Sequence, residues 1–239
     1  MSPTDARRQQ LADNLAVVRR RIATAATAAG RAAEDVDLVV VTKFFPASDV
    51  RILADLGVTA VGENRHQEAQ QKAAECAESG LRDLSWHFIG GLQSNKAAAV
   101  AAYADVVESV DRLKLVGPLD RGAQQHGRTL DVLLQVSLDA PGAEHRAGAR
   151  PEDLPGLAAA VQDAAALRLR GLMAVAPLGE DPAAAFARLA AIRADFLHDH
   201  PAAEWLSAGM SGDLEQAIAH GATHVRVGSA VLGSRPRVP

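Results

Sequence analysis

The chain has 239 residues, 48% of them hydrophobic, with a formal net charge of −4 and an isoelectric point near 6.1. That length suits one large core, and Lys and Arg scattered without a basic stripe exclude nucleic acid and anionic membranes as natural partners. A lone cysteine, Cys76, excludes an internal disulfide framework and a cysteine-rich metal site.

The first residues, Met1-Ser2-Pro3-Thr4-Asp5, lack the charged start and apolar run of a secretion signal. No stretch is long and apolar enough to span a bilayer, so a cytoplasmic location is expected. Leu11, Leu15, Val18 and Ile22 recur at helical spacing and predict an amphipathic helix over 5–29. Thr4 is the expected cap, and Gly30 the expected stop. Short apolar runs then follow at 37–43, 59–63, 86–90, 106–110, 131–138, 167–176, 205–210 and 224–229. Several, such as Val39-Val40-Val41 and Leu133-Leu134, show no polar alternation, as in parallel strands buried on both faces.

Helical patterns fill the gaps at Ala47–Leu56, His66–Glu78, Ser94–Tyr103, Leu113–His126, Pro151–Ala165, Pro182–His198 and Ser211–His220. Gly57, Gly127 and Gly221 stand where helices should stop. Eight strands, seven intervening helices and one leading helix predict an α/β fold, a (β/α)₈ TIM barrel with an extra N-terminal helix. The rival is an open doubly wound sheet, which lacks its dinucleotide fingerprint after the first strand. One domain over 1–239 is expected, with the barrel over about 37–233. Asp139–Arg150 reads as a mobile loop, and the tail from Ser234 as frayed.

Barrels carry their functional groups at the carboxyl ends of the strands. Lys43 closes the first run. A lysine there either snorkels into water or, when partly desolvated, attacks an aldehyde to form an imine. Val41 and Phe44 are the expected apolar wall. Asn64, in Gly62-Glu63-Asn64, is either a turn residue or a hydrogen-bonding group for a ligand. After the third run, Gly90-Gly91 permits close approach of a ligand, Ser94 reads as a helix cap, and Lys96 is a candidate anion contact. Met173 falls at the barrel mouth, as core or as wall.

The last two strand ends carry Ser207-Ala208-Gly209-Met210-Ser211 and Arg226-Val227-Gly228-Ser229. Such turns bind phosphate through backbone N–H groups and the hydroxyls of Ser207, Ser211 and Ser229. Ser211 reads equally as a helix cap. Arg226 lies inside a strand and needs a partner. Opposite a pyridine nitrogen it donates a hydrogen bond without giving up its proton, which leaves a weak electron sink. An amine and a phosphate cradle together describe a site for pyridoxal 5′-phosphate (PLP). Cys76 sits in a predicted helix and is expected to be inert. His198-Asp199-His200 crowds a helix end and reads as a solvated loop rather than a metal site.

These motifs resemble the YggS/PROSC family of pyridoxal phosphate homeostasis proteins. The likeness rests on Val41-Thr42-Lys43 with Pro46, Gly62-Glu63-Asn64, and Trp86-His87-Phe88-Ile89-Gly90 through Leu92-Gln93-Ser94-Asn95-Lys96. It extends through Arg170-Gly171-Leu172-Met173, Gly209-Met210-Ser211 with Asp213, and Val225-Arg226-Val227-Gly228-Ser229. The resemblance implies a barrel like the alanine racemase N-terminal domain and PLP bound covalently as a Schiff base on Lys43. It implies phosphate held by Ser211, Gly228 and Ser229, with Arg226 facing the pyridine nitrogen. Asn64, Met173, Ser207 and Gly209 complete the expected cofactor site.

The resemblance further implies a non-catalytic carrier that buffers PLP, with PLP-dependent apoenzymes as candidate recipients; the lack of an added domain leans towards a monomer. Three departures stand out. Ser229 occupies a position where the family commonly has threonine. Arg146-Ala147-Gly148 replaces a common lysine-glycine pair. Phe44 and Phe45 are bulkier than expected. Two alternatives use the same lysine: a PLP-dependent amino-acid racemase, and a Schiff-base aldolase acting on a phosphorylated substrate. Racemisation needs a base on each face of the imine, and the sole tyrosine, Tyr103, falls far in pattern from the strand tips.

Overall fold

A computed structural model describes residues 2–139 and 147–234. Eight parallel strands close into a TIM barrel in sequence order. They are β1 (Asp37–Val41), β2 (Ala60–Glu63), β3 (Ser85–Phe88), β4 (Val106–Val110), β5 (Leu130–Val136), β6 (Leu167–Ala174), β7 (Trp205–Ser207) and β8 (His224–Val227). Closure is made by β8 pairing with β1, with Val39 opposite Arg226. The expected barrel is therefore the observed one, and the open sheet is not formed.

The outer ring is α2 (Ala47–Asp55), α3 (His66–Glu78), α4 (Ala97–Val100), α5 (Val116–Gln125), α6 (Leu154–Gln162), α7 (Pro182–Asp199) and α8 (Leu214–Ala219). The leading helix α1 (Pro3–Ala28) buries Leu11, Leu15, Val18 and Ile22. That stripe, at about 2 kcal/mol per fully buried aliphatic side chain, outweighs surface pairs such as Arg8–Asp55, worth about 0.5 kcal/mol. A short α9 (Ser229–Leu232) follows the last strand.

The cap of α1 is Ser2, not Thr4. The Ser2 hydroxyl accepts from the Asp5 amide at 3.1 Å, and the Asp5 carboxylate accepts from the Ser2 amide at 3.0 Å. Pro3 sets this start, because its fixed φ and missing N–H suit the first helical position. Gly30, Gly57, Gly127 and Gly221 all take positive φ just beyond helix ends, as expected. Three predicted helices begin later than expected, behind 3₁₀ turns at Ser94–Lys96, Leu113–Leu115 and Pro151–Asp153. Ser94 makes no side-chain cap bond; Gln93 holds the cap position before the turn.

The outward strand residues and the helices form the two main apolar clusters. Inside the barrel, Val106, Leu133 and Met173 form a small third cluster. In β6, Leu169 pairs with Val132 and Gly171 with Leu133, leaving Arg170 as an extra residue. Gly171 takes φ 152° there, and a Cβ would lie 1.9 Å from the Trp205 carbonyl oxygen. Only glycine fits that bulge.

Of the expected loop at 139–150, residues 140–146 lie outside the described residues, Arg146 among them. Its far end returns to β5, where the Ser137 amide donates to Ala149 O at 2.9 Å. The tail expected to fray is described only at Ser234. Among the described residues, no helix is long and apolar enough to cross a membrane.

Candidate ligand site at the barrel mouth

A cavity of about 390 Å³ opens at the carboxyl ends of the strands. Small-molecule sites typically run from about 300 to 1,000 Å³. Lys43, Asn64, Ser211, Gly228 and Ser229 line it. Arg226 and Met173 also line it. They are only 4% and 1% exposed, so they form its floor. Lines of sequence almost 190 residues apart thus meet because β8 closes on β1.

Lys43 lies two residues past the end of β1, since the strand stops at Val41. The Thr42 amide still donates to Gly62 O at 3.0 Å, and the Phe45 amide then donates to Thr42 O at 3.0 Å. This turn is made by Phe44, at φ 72°. The turn sends the Phe44 ring to Arg65, whose guanidinium sits 4.9 Å from its centroid. Phe45, rather than Phe44, joins Val41 on the cavity wall.

The Ser211 and Ser229 hydroxyls stand 3.5 Å apart. Ser211 is not the cap of α8; Asp213 holds that position, and its carboxylate accepts from the Met210 amide at 2.5 Å. The Ser211 side chain is thereby left at the rim. Gly228 packs tightly behind it, since a Cβ would lie 3.3 Å from Val41 O.

Ser207 and Gly209 do not line the cavity. Ser207 is fully buried below the floor, where its hydroxyl accepts from Arg226 and donates to Glu108, both at 2.6 Å. Alternation explains the placement: Ser207 points into the barrel one layer below the rim. Gly209 takes φ 89° against α8, where a Cβ would lie 2.6 Å from that of Ala217. Its carbonyl accepts from the Arg226 amide at 2.9 Å.

Arg226 has the partner its position demanded. Beyond Ser207, it donates to Ala174 O at 2.9 Å and stands 3.8 Å from the Glu108 carboxylate. Burial alone lifts the Glu108 carboxyl. The His87 hydrogen bond at 2.7 Å, the His87 and Arg226 charges and the Ser207 hydroxyl overcome that and hold it at about 2. Burial lowers the Arg226 value and Glu108 opposes it. The sequence reading missed Glu108 and His87. The available signal was one acid in a strand whose other residues are three valines and a serine, the same oddity that marks Arg226.

A second buried charge cluster lies behind Lys43. Lys72 donates to Glu63 at 2.5 Å and to Glu68 at 3.1 Å. Burial raises the Glu63 carboxyl despite Lys72. Tyr103 is off the cavity wall; it stacks on His66 at 5.9 Å, and burial raises its phenol further from use as a base. Lys96 does not line the cavity either. Cys76 is buried in α3, and burial raises its thiol, so the thiolate is disfavoured.

The donor set fits PLP: an amine, a pair of hydroxyls and a buried guanidinium face one volume of suitable size. Asn64 Oδ1 is buried without a hydrogen-bond partner beside that volume, and Gly91 and Gly212 leave open space at the rim.

Residues 7–236 match the family model of the alanine racemase N-terminal domain. The pyridoxal phosphate homeostasis protein of Mycobacterium leprae is 43% identical over 249 aligned positions, covering 98% of this chain and 96% of that one. That of Pseudomonas aeruginosa is 44% identical, covering 94% and 96%. PipY from Synechococcus elongatus, solved with PLP bound, superposes with a TM-score of 0.80 at 36% identity, covering 93% of this chain and all of that one. The barrel, its rim residues and these relatives agree: the chain belongs to the family of pyridoxal phosphate homeostasis proteins.

Proposed function

We propose that this protein binds PLP at the barrel mouth as a Schiff base on Lys43 and serves intracellular PLP homeostasis without robust turnover. The observation that carries the reading is the meeting of Lys43, Arg226 and the Ser211–Ser229 pair on one cavity. The names of the relatives, and the PLP bound to PipY, support it. Lys43 would hold the group through its amine, the nucleophile that an aldehyde takes up as an imine with loss of one water. When bound, the group supplies an electron sink. Arg226, beside Glu108, would donate to the pyridine nitrogen and so leave that sink weak. Ser211 and Ser229 would hold the phosphate with their hydroxyls, Gly228 would let it approach, and Asn64 and Met173 would supply wall for the rest of the group.

The racemase reading draws on the family model. Against it stands Tyr103, which is half-buried away from the cavity and provides no second base. Titrating the purified protein with PLP, reducing with borohydride and mapping the adduct by peptide mass tests the proposal. A yellow protein with the adduct on Lys43 is expected. No visible band, or an adduct on another lysine, sinks the reading. Turnover of D- or L-alanine at ordinary enzymatic rates would favour the racemase.

A further inference from the structure

Lys43 is flanked on both sides by groups that one buried ion cluster grips. On one side, Lys72 donates to Thr42 O at 2.9 Å, and the Thr42 hydroxyl donates to Glu63 at 2.7 Å. On the other, the Phe44 amide donates to Glu68 Oε1 at 2.5 Å. Lys72 bridges both carboxylates and is itself only 5% exposed. Lys43 lies past the last β1 ladder residue, so regular strand pairing does not hold it.

The grip has a visible task. Phe44 is the one non-glycine residue at positive φ among the described residues. A residue with a Cβ resists this conformation, and an aromatic one has no polar side chain to offset the strain locally. Some neighbour must hold it there. Glu68 accepts from its amide, and Arg65 rests on its ring. The turn in turn directs Lys43 to the cavity and Phe44 away from it.

We propose that Glu68 is a positioning residue: by holding Phe44 in the left-handed turn it aims the Lys43 amine at the ligand aldehyde. This rests on the reading that Lys43 is the bonding amine. Lys72 serves the clamp by bridging the Glu68 and Glu63 carboxylates with one ammonium.

The test compares Glu68→Ala, Glu68→Gln, Phe44→Gly and the double variant Glu68→Ala/Phe44→Gly. PLP titration followed at the imine band gives affinity, and amide exchange at residue 44 in the ligand-free proteins reads the turn directly. Glu68→Ala is expected to weaken binding roughly tenfold and to speed Phe44 exchange, because it frees a strained turn. Glu68→Gln keeps an acceptor and stays within about twofold. In the Phe44→Gly background, Glu68→Ala costs less than about threefold, since glycine holds positive φ without help.

A merely structural Glu68 would give the same loss in both backgrounds, and that result overturns the proposal. So does wild-type affinity in Glu68→Ala. Should Glu68→Ala not fold, Phe44→Gly must restore it; a double variant that also fails to fold counts against the clamp. An adduct missing from Lys43 in the wild type refutes the functional reading instead, while the exchange comparison still decides whether Glu68 holds Phe44.

Discussion

The Arg21 guanidinium on α1 donates to the backbone oxygen of Ser211 at 3.0 Å, and the same side chain pairs with Glu215 at 2.7 Å. A helix outside the barrel is thus tied to the turn that carries a rim hydroxyl. Arg21→Ala is expected to weaken PLP binding roughly threefold to tenfold, the worth of one charged hydrogen bond at a partly exposed site. Pyridoxal, which lacks the phosphate, should bind the variant as it binds the wild type. Parallel titrations with the two ligands check this; equal losses for both would place the defect elsewhere.

Lys43→Ala should abolish the visible band and the borohydride-fixed adduct. Lys43 is outside the strand ladder, so circular dichroism and the unfolding midpoint should stay close to those of the wild type. A coloured Lys43→Ala protein would mean that another lysine bonds the ligand.

Glu108 gives the fold a dependence on pH. Its folded value of about 2 lies below its ordinary 4.5, so its stabilisation is complete above about 4.5 and is lost as pH falls towards 2. The difference is worth about 3 kcal/mol at neutral pH. Glu108→Gln should be less stable than the wild type at pH 7, and the gap should narrow on acidification below pH 4.5. Urea unfolding of both proteins at a series of pH values measures it. A gap that is constant with pH would mean that the carboxylate charge contributes nothing.

Gly90→Ala should be strongly destabilising. Its Cβ would stand 2.2 Å from the Asn64 backbone oxygen, so the ends of β2 and β3 must part. A loss of about 2–4 kcal/mol is expected, together with weaker ligand binding through Asn64. Gly91→Ala meets nothing within 4 Å and serves as the control. Thermal unfolding of the pair distinguishes a close approach of backbones from a general need for glycine in this turn.

Much of this was legible in the sequence, for identifiable reasons. Unbroken apolar runs such as Val39-Val40-Val41 announced doubly buried strands, and Gly57, Gly127 and Gly221 marked helix ends. Lys43 and Ser211 could be placed at strand tips because barrels put loops there. Ser207 could not be separated from Ser211 without the strand end: β7 stops at Ser207, which leaves it inward and below the rim. Glu108 was missed because its meaning lies in Arg226, more than a hundred residues away, and only closure brings them together. The left-handed Phe44 was hidden for a related reason. The residue type does not favour it, and the carboxylate that accepts from its amide arrives from α3.

The pairing of β8 with β1 also imposes an order of events on synthesis. Lys43 emerges from the ribosome long before Arg226 and Ser229, which follow it in the sequence and pair its strand only through β8. Until then the nascent chain has an amine with no anion cradle and a barrel with an open seam. The cavity at the barrel mouth is therefore complete only once β8 has been made, and a chain cut short before β8 keeps Lys43 yet lacks Arg226, Gly228 and Ser229 from its lining.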